Sequence, residues 1–196
     1  NSMIEKEKKL DVDAHVTTVL FNDQYKMLYN RRELKDVSKM TDKDYTPGGM
    51  TALLDAVGRT IHKMDMVAGI HRKDKGNKVL FVIITDGEEN DSKEYTYADV
   101  KKLIKDRQEN AGWEFIFLGA NIDAAAAAEN LGIDRDRAVK YKNTGSGVRA
   151  NFKAVAELSD SLAKSGRVSD EWKETVEKDE DDAADKQSAA VTSHRR

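Results

Sequence analysis

Two kinds of hydrophobic pattern alternate from about residue 50 onward. Mainly apolar runs without alternation occur at Val79 to Thr85 and at Trp113 to Gly119, and such runs are typical of parallel strands buried on both faces. We expect the first run to be a central strand. Other stretches carry apolar residues three and four positions apart, which predicts amphipathic helices. These helical positions are Leu53, Leu54, Val57, Ile61, Met64 and Ala68, then Tyr97, Val100, Leu103 and Ile104.

The first fifty residues follow a different pattern. Residues 2 to 10 are strong helix formers with lysines near their end, which favours the final part of a helix. His15 to Phe21 is rich in β-branched and aromatic residues and predicts a strand. Tyr25, Met27 and Tyr29 alternate with other residues, which predicts an antiparallel edge partner for that strand. Residues 31 to 50 are polar and predict a loop.

The C-terminal third continues the alternation and then loses it. Asp123 to Leu131 predicts a short helix ended by Gly132, Ala138 to Tyr141 a small strand, and Gly147 to Lys164 a longer helix. We therefore predict an α/β fold with a doubly wound, mostly parallel sheet and one antiparallel edge strand.

The residues beyond Gly166 predict a separate segment. Val168, Trp172 and Val176 are their only large apolar residues before Val191. We expect residues 1 to 166 to form the domain and residues 167 to 196 to form a flexible acidic tail that joins no core.

Composition narrows the class of protein. The chain has 196 residues, of which 39% are hydrophobic, and it contains no cysteine. This length suits one domain, and the lack of cysteine agrees with a reducing compartment, so we expect the cytoplasm. No apolar run approaches the roughly 18 residues of a membrane span. Nine acidic residues and two lysines between Asp170 and Asp185 sum to −7, and such a tail repels phosphates. We therefore expect neither a membrane nor a nucleic acid as a partner.

Two loops at predicted strand ends carry the candidate site. Thr51 follows Gly48-Gly49-Met50 at the start of a helix, and Asp86 follows a buried strand directly. In an open parallel sheet, ligands bind outside the carboxyl ends of the strands. A hydroxyl and a carboxylate are oxygen ligands of the kind that Mg²⁺ prefers. The alternatives are that Thr51 only caps its helix and that Asp86 and Gly87 only form a turn.

Other chemistries find little support in the sequence. Gly145-Ser146-Gly147 lacks the third glycine of a phosphate-binding loop and is better placed at the start of the last helix. The four histidines are far apart, and no serine lies in a nucleophile elbow. Glu88, Glu89 and Asp91 form either an acid–base cluster or a solvated face, and the solvated face is the commoner case. A metal-dependent hydrolase or phosphotransferase using Asp86 and Glu88 lacks a nucleophile, so we expect no enzyme.

Three stretches together resemble a known family over residues 1 to 140. These are Gly48-Gly49-Met50-Thr51-Ala52-Leu53-Leu54-Asp55-Ala56, Val82-Ile83-Ile84-Thr85-Asp86-Gly87-Glu88-Glu89-Asn90 and Phe115-Ile116-Phe117-Leu118-Gly119-Ala120-Asn121. They are similar to the von Willebrand factor type A domain of bacterial and phage intracellular proteins. The resemblance implies a metal-ion-dependent adhesion site, with Thr51 and Asp86 as Mg²⁺ ligands and an acidic side chain of a protein partner completing the shell.

One part of the family pattern is missing. Its Asp-x-Ser-x-Ser loop follows a central first strand, and that sequence occurs nowhere in the chain. Without this strand, the sheet is expected to split between His15 to Phe21 and Val79 to Thr85 and to leave two rows of unpaired backbone groups. The chain is then a piece of a longer product, or another polypeptide donates a strand, or the sheet is rearranged.

Two functions follow from these observations. The first is a protein-interaction module with a metal-ion-dependent site that is incomplete in this chain, so that Mg²⁺ binds weakly or not at all. The second is a metal-independent scaffold or assembly protein that docks on a basic partner through its fold and acidic tail.

Overall fold

The computed structural model describes residues 4, 8, 13–41, 43–44, 48–67, 78–168, 172–174 and 176–177. The predicted helix at residues 2 to 10 lies outside the described residues, apart from Ile4 and Lys8. The strands are β1 (His15–Phe21), β2 (Tyr25–Glu33), β3 (Leu80–Thr85), β4 (Glu114–Ala120) and β5 (Ala138–Tyr141). The helices are α1 (Leu53–Asp65), α2 (Tyr97–Asp106), α3 (Ala124–Leu131) and α4 (Gly145–Ser165).

A parallel sheet with the order β3-β4-β5 forms the centre of the α/β fold. Leu80 is paired with Glu114 at one end of the β3–β4 ladder, and Thr85 with Gly119 at the other. The prediction of a parallel sheet with intervening helices is confirmed. Successive strands are parallel because a helix returns the chain to the same end of the sheet each time.

Helices cover both faces of this sheet. One core cluster joins α1, α2 and α3 to alternate residues of the strands, including Ile83, Phe115 and Phe117. The other joins α4 to the opposite residues, including Ile116 and Leu118. The strands β3 and β4 carry apolar residues on both faces, and each face packs against a hydrophobic layer. The apolar runs in the sequence predict this arrangement. No helix in the described part of the chain has both the length and the apolar character needed to cross a membrane.

Strands β1 and β2 form a separate antiparallel hairpin. The predicted pairing is confirmed, but β2 continues to Glu33, so the prediction that the loop begins at residue 31 is wrong. The reason is local: Arg31 takes a φ of 49° and its backbone N–H donates to Thr17 Oγ1 at 3.1 Å. This irregularity interrupts the register while allowing the pairing to continue to His15 and Glu33.

The expected central position of Val79 to Thr85 is wrong for the described residues. There β3 pairs only with β4 and forms an edge of the parallel sheet, and β4 is the central strand. Six of the seven β4 residues are buried, whereas β3 buries only Ile83 and Thr85. The predicted split agrees with the described residues, where no ladder joins β1 to β3.

The start of the C-terminal segment packs against the core, contrary to expectation. Val168, Trp172 and Val176 are each at most 7% exposed and belong to the α4-side cluster. Their large apolar surfaces outweigh the polar character of the residues around them. The division at residue 166 remains a prediction, and its residues 178 to 196 lie outside the described residues.

Candidate functional site at the strand ends

Thr51 lies at the carboxyl end of β3, directly against the loop that contains Asp86. A Cβ atom placed on Gly87 would lie only 3.1 Å from Thr51 Oγ1. Thr51 is also held by Asn90, which accepts from its N–H at 2.7 Å and donates its own N–H to the Thr51 carbonyl at 3.0 Å. The two loops singled out in the sequence therefore meet at one rim of the sheet.

Asp86 presents an exposed carboxylate at the same rim. Its Oδ2 accepts a hydrogen bond from Asn143 Nδ2 at 3.3 Å. The tight turn after β3 is made by Thr85, whose Oγ1 donates to the Gly87 carbonyl and accepts from the Gly87 N–H. Since the Asp86 side chain takes no part in those turn bonds, its carboxylate faces outward.

Helix α1 is capped by the loop after β3, and Thr51 does not cap it. The N-cap residue is Ala52. Glu89 Oε2 accepts from the Leu54 N–H at 2.9 Å, and Ser92 Oγ accepts from the Asp55 N–H at 3.1 Å. A carboxylate at a helix N-terminus is favourable because it meets the positive end of the dipole. The capping alternative for Thr51 is therefore wrong, and its hydroxyl has no hydrogen-bond partner among the described residues.

Glu89 is a structural residue and not part of a solvated face. Its carboxylate also accepts from the N–H groups of Asp91 and Ser92 and from the Ser92 hydroxyl, at 2.7 to 3.0 Å. These bonds account for both of its oxygens. Glu89 is therefore unsuited to acid–base chemistry, and the solvated-face interpretation of this residue is wrong.

Asp55 fixes the far half of the same loop from within α1. It is 6% exposed, and its carboxylate accepts the backbone N–H groups of Lys93, Glu94 and Tyr95 at 2.9 to 3.0 Å. Burial alone would raise the pKa of Asp55, but the three N–H donors and the positive charge of Arg59 outweigh it, so the pKa lies below the ordinary 3.8. The loop that carries Asp86 is thus attached to α1 at two points.

The turn between β1 and β2 completes this rim. The Asn22 carbonyl accepts from the Ala52 N–H at 2.8 Å, and Asn22 Nδ2 donates to the Gly48 carbonyl at 2.9 Å. Gly49 has a φ of 92°, and a Cβ there would lie 2.6 Å from Asp23 Oδ1. At position 49 only glycine avoids both the strained backbone and this clash, whereas Gly48 is favoured by its φ of 135° alone.

The donor atoms at the rim suit a hard cation in kind but not in number. A free hydroxyl on Thr51 and an outward carboxylate on Asp86 match the oxygen ligands of Mg²⁺. Among the described residues, however, no three His, Cys, Asp or Glu side chains cluster so as to hold a metal ion. Two side-chain oxygens would fill only part of the six-coordinate shell that Mg²⁺ takes.

Asn143 is the rim residue that sequence reasoning missed. It lies just after β5, the third parallel strand, as Asp86 lies just after β3. Applying the strand-end rule to every parallel strand would have found it. A depression of about 560 Å³ adjoins the rim at the ends of β4 and β5, lined in part by Glu88, Asn121 and Lys140.

Comparison of the chain with protein-family models, with curated proteins and with solved structures finds no match.

Proposed function

We propose that the chain is a protein-interaction module of the von Willebrand factor A type, with Thr51 and Asp86 as part of a divalent-cation site. The observation that carries this proposal is the meeting of the Thr51 hydroxyl and the Asp86 loop at one rim, with the hydroxyl free of the helix cap. Both side chains have the oxygen chemistry that Mg²⁺ prefers.

The choice of a binding function over catalysis rests on the neighbouring groups. Glu89 and Asp55 use their carboxylates to hold backbone N–H groups, and Asp86 is bonded to an amide. No described residue at the rim pairs a nucleophile with a base. A Mg²⁺ ion held by one neutral hydroxyl and one carboxylate retains positive charge, which attracts an acidic side chain of a partner protein.

The test is a titration of the chain with Mg²⁺, followed by two-dimensional NMR of the backbone amides. With two side-chain ligands we expect a Kd of about 1 mM or weaker, at the weak end of protein cation sites. The shifts should concentrate at Thr51 and Gly87. A short glutamate-containing peptide, added at high Mg²⁺, should enlarge the shifts at the rim.

Matched variants identify the ligands. Asp86→Asn and Thr51→Val should abolish the response, whereas Glu88→Gln changes an exposed carboxylate in the same loop and should preserve it. Binding of Mg²⁺ at micromolar concentration would show that other residues complete the shell. An unchanged response in Asp86→Asn would refute the site.

A further inference from the structure

The hydrogen bond between Asn143 and Asp86 joins two loops that do not follow neighbouring strands. Asp86 follows β3 and Asn143 follows β5, and β4 lies between these two strands in the sheet. Asn143 Nδ2 donates to Asp86 Oδ2 at 3.3 Å, although the residues are 57 positions apart in sequence. The bond therefore crosses the carboxyl end of β4, and Asn143 reaches Asp86 from the β5 side of the rim.

The backbone on either side of Asn143 is held in place by the start of α4. The Thr144 N–H donates to the Lys142 carbonyl at 2.8 Å, and Thr144 Oγ1 accepts from the Gly147 N–H at 3.2 Å. A Cβ atom on Gly147 would overlap the same Lys142 carbonyl oxygen, so α4 packs directly on this turn. The fold therefore sets the position of Asn143, and only its side chain is free to adjust.

Thr51 reaches the rim from another side. Its backbone bonds to Asn90, and the N–H of the next residue, Ala52, donates to the Asn22 carbonyl just after β1. Strand β1 belongs to the hairpin and not to the parallel sheet. Thr51 is thus held on the hairpin side, whereas Asp86 Oδ2 is bonded from the β5 side. Asp86 Oδ1 has no hydrogen-bond partner among the described residues.

An amide donor suits a carboxylate that binds a cation. Mg²⁺ demands a near-ideal octahedron, and a carboxylate that turns freely offers it either oxygen or both. A donor on Oδ2 restricts this rotation and leaves Oδ1 of Asp86 to the ion. The amide of Asn143 carries no net charge, so it orients the carboxylate without the repulsion that a lysine would exert on the cation.

We infer that Asn143 is a positioning residue of the cation site, which holds Asp86 Oδ2 so that Oδ1 faces the ion. This inference rests on the proposed function, because it assigns a role within that same site. Hydrogen-bond partners of metal-ligating groups typically change metal affinity by about 10- to 100-fold. Asn143 and Asp86 are both exposed, and water competes for their hydrogen bond, so we expect the low end of that range.

The test is a titration of the full 196-residue chain with Mg²⁺, followed by two-dimensional NMR. The signals are the backbone amides of Thr51 and Gly87 and the side-chain NH₂ group of Asn143. In the parent, the NH₂ signals should shift with the same Kd as the two backbone amides. Asn143→Leu keeps the approximate size of the side chain without its donor, and it should weaken Mg²⁺ binding about tenfold.

Two further variants separate positioning from a general structural effect. Asn143→Gln keeps the amide donor on a longer side chain and should recover most of the lost affinity. Asn121→Gly removes another exposed amide, at the end of β4, and should bind Mg²⁺ as the parent does. Asn121 has a φ of 57°, which glycine adopts without strain, so this control leaves the backbone intact. If Asn143→Leu does not fold, Asn143→Ala gives the same test.

The outcomes distinguish this inference from the proposed function. Binding by Asn143→Leu that equals that of the parent, an equal loss in Asn121→Gly, or NH₂ signals that do not respond to Mg²⁺ would overturn the role of Asn143. If Asp86→Asn still abolishes binding in that case, the proposed cation site stands. No response to Mg²⁺ at Thr51 and Gly87 of the parent would overturn both.

Discussion

Replacement of Asp55 by Asn tests how the loop that carries Asp86 is held in place. Asp55 Oδ1 accepts from Glu94 and Tyr95, and Oδ2 accepts from Lys93. The asparagine side chain has one oxygen acceptor in place of two. At least one of the three N–H groups therefore loses its partner, and the others donate to a neutral oxygen instead of a charged one. At about 1.5 to 3 kcal/mol for each hydrogen bond to a charged group, we expect Asp55→Asn to lower the free energy of unfolding by about 3 kcal/mol.

The assay is urea unfolding followed by circular dichroism, with thermal unfolding beside it. A loss of about 3 kcal/mol corresponds to a fall in Tm of roughly 6 to 12 °C for a chain of this size. Glu94→Gln is the matched control, since this neighbouring carboxylate is exposed and pairs with Arg59 at the surface, and it should change stability far less. Equal stability of Asp55→Asn and the parent would refute the reasoning.

The pH dependence of the stability difference between the parent and Asp55→Asn gives an independent check. The pKa of Asp55 is lower in the folded chain than its ordinary value of 3.8. Its stabilisation is therefore fully present above that ordinary value and is lost as the pH falls through the folded pKa. The difference in free energy of unfolding between the parent and Asp55→Asn should be constant near neutral pH and shrink in acid. A difference that grows in acid would contradict the assignment.

Two further predictions concern the α4 side of the sheet. Trp172→Ala should lower the free energy of unfolding by about 3 to 5 kcal/mol, because the indole is 2% exposed, whereas Val148→Ala at an exposed position of α4 should have little effect. A small effect of Trp172→Ala would restore the expectation of a tail that joins no core. Asn151 is 1% exposed, and neither polar atom of its amide has a partner among the described residues. Asn151→Leu should therefore raise the free energy of unfolding by about 1 kcal/mol, and a fall would show that the amide has a native partner.

The local sequence pattern predicted strands and helix ends correctly where neighbouring residues determine the backbone conformation. The ranges His15 to Phe21 and Ala138 to Tyr141 match β1 and β5 residue for residue. The glycine after Leu131 ends α3 with a φ of 83°, as expected for a helix C-terminus. In each case a short run of side chains determines the backbone.

The pattern failed where distant residues decide the outcome. The run before Asp86 is apolar on both faces, yet β3 lacks a partner on one edge within the described residues, because strand neighbours depend on the whole fold. In the sequence, Glu89 is one of several neighbouring carboxylates on a polar loop. Its hydrogen bond from the Leu54 N–H joins residues 35 positions apart, which no local pattern indicates. Trp172 belongs to the buried cluster that contains residues of β4 and α4, although its sequence neighbours are strongly charged. Long-range burial outweighs local composition at these positions.

The pair of Thr51 and Asp86 was predictable because strand-end loops in parallel sheets converge. The sequence alone left open whether Thr51 caps its helix. The hydrogen bonds from the loop after β3 to Leu54 and Asp55 exclude that role, and they involve contacts that no local pattern indicates. The same loop therefore caps the helix and leaves the threonine hydroxyl available.

Paramagnetic line broadening by Mn²⁺ tests the proposed cation site most directly, because it locates a weakly bound ion. Mn²⁺ takes the same oxygen ligands as Mg²⁺ and broadens the amide signals nearest to it. At substoichiometric Mn²⁺, the account predicts that the amides of Thr51 and Gly87 broaden first, and that Asp86→Asn removes this effect. Broadening centred on the acidic residues from Asp170 to Asp185, with the rim unaffected, or rim broadening that persists in Asp86→Asn, would contradict it.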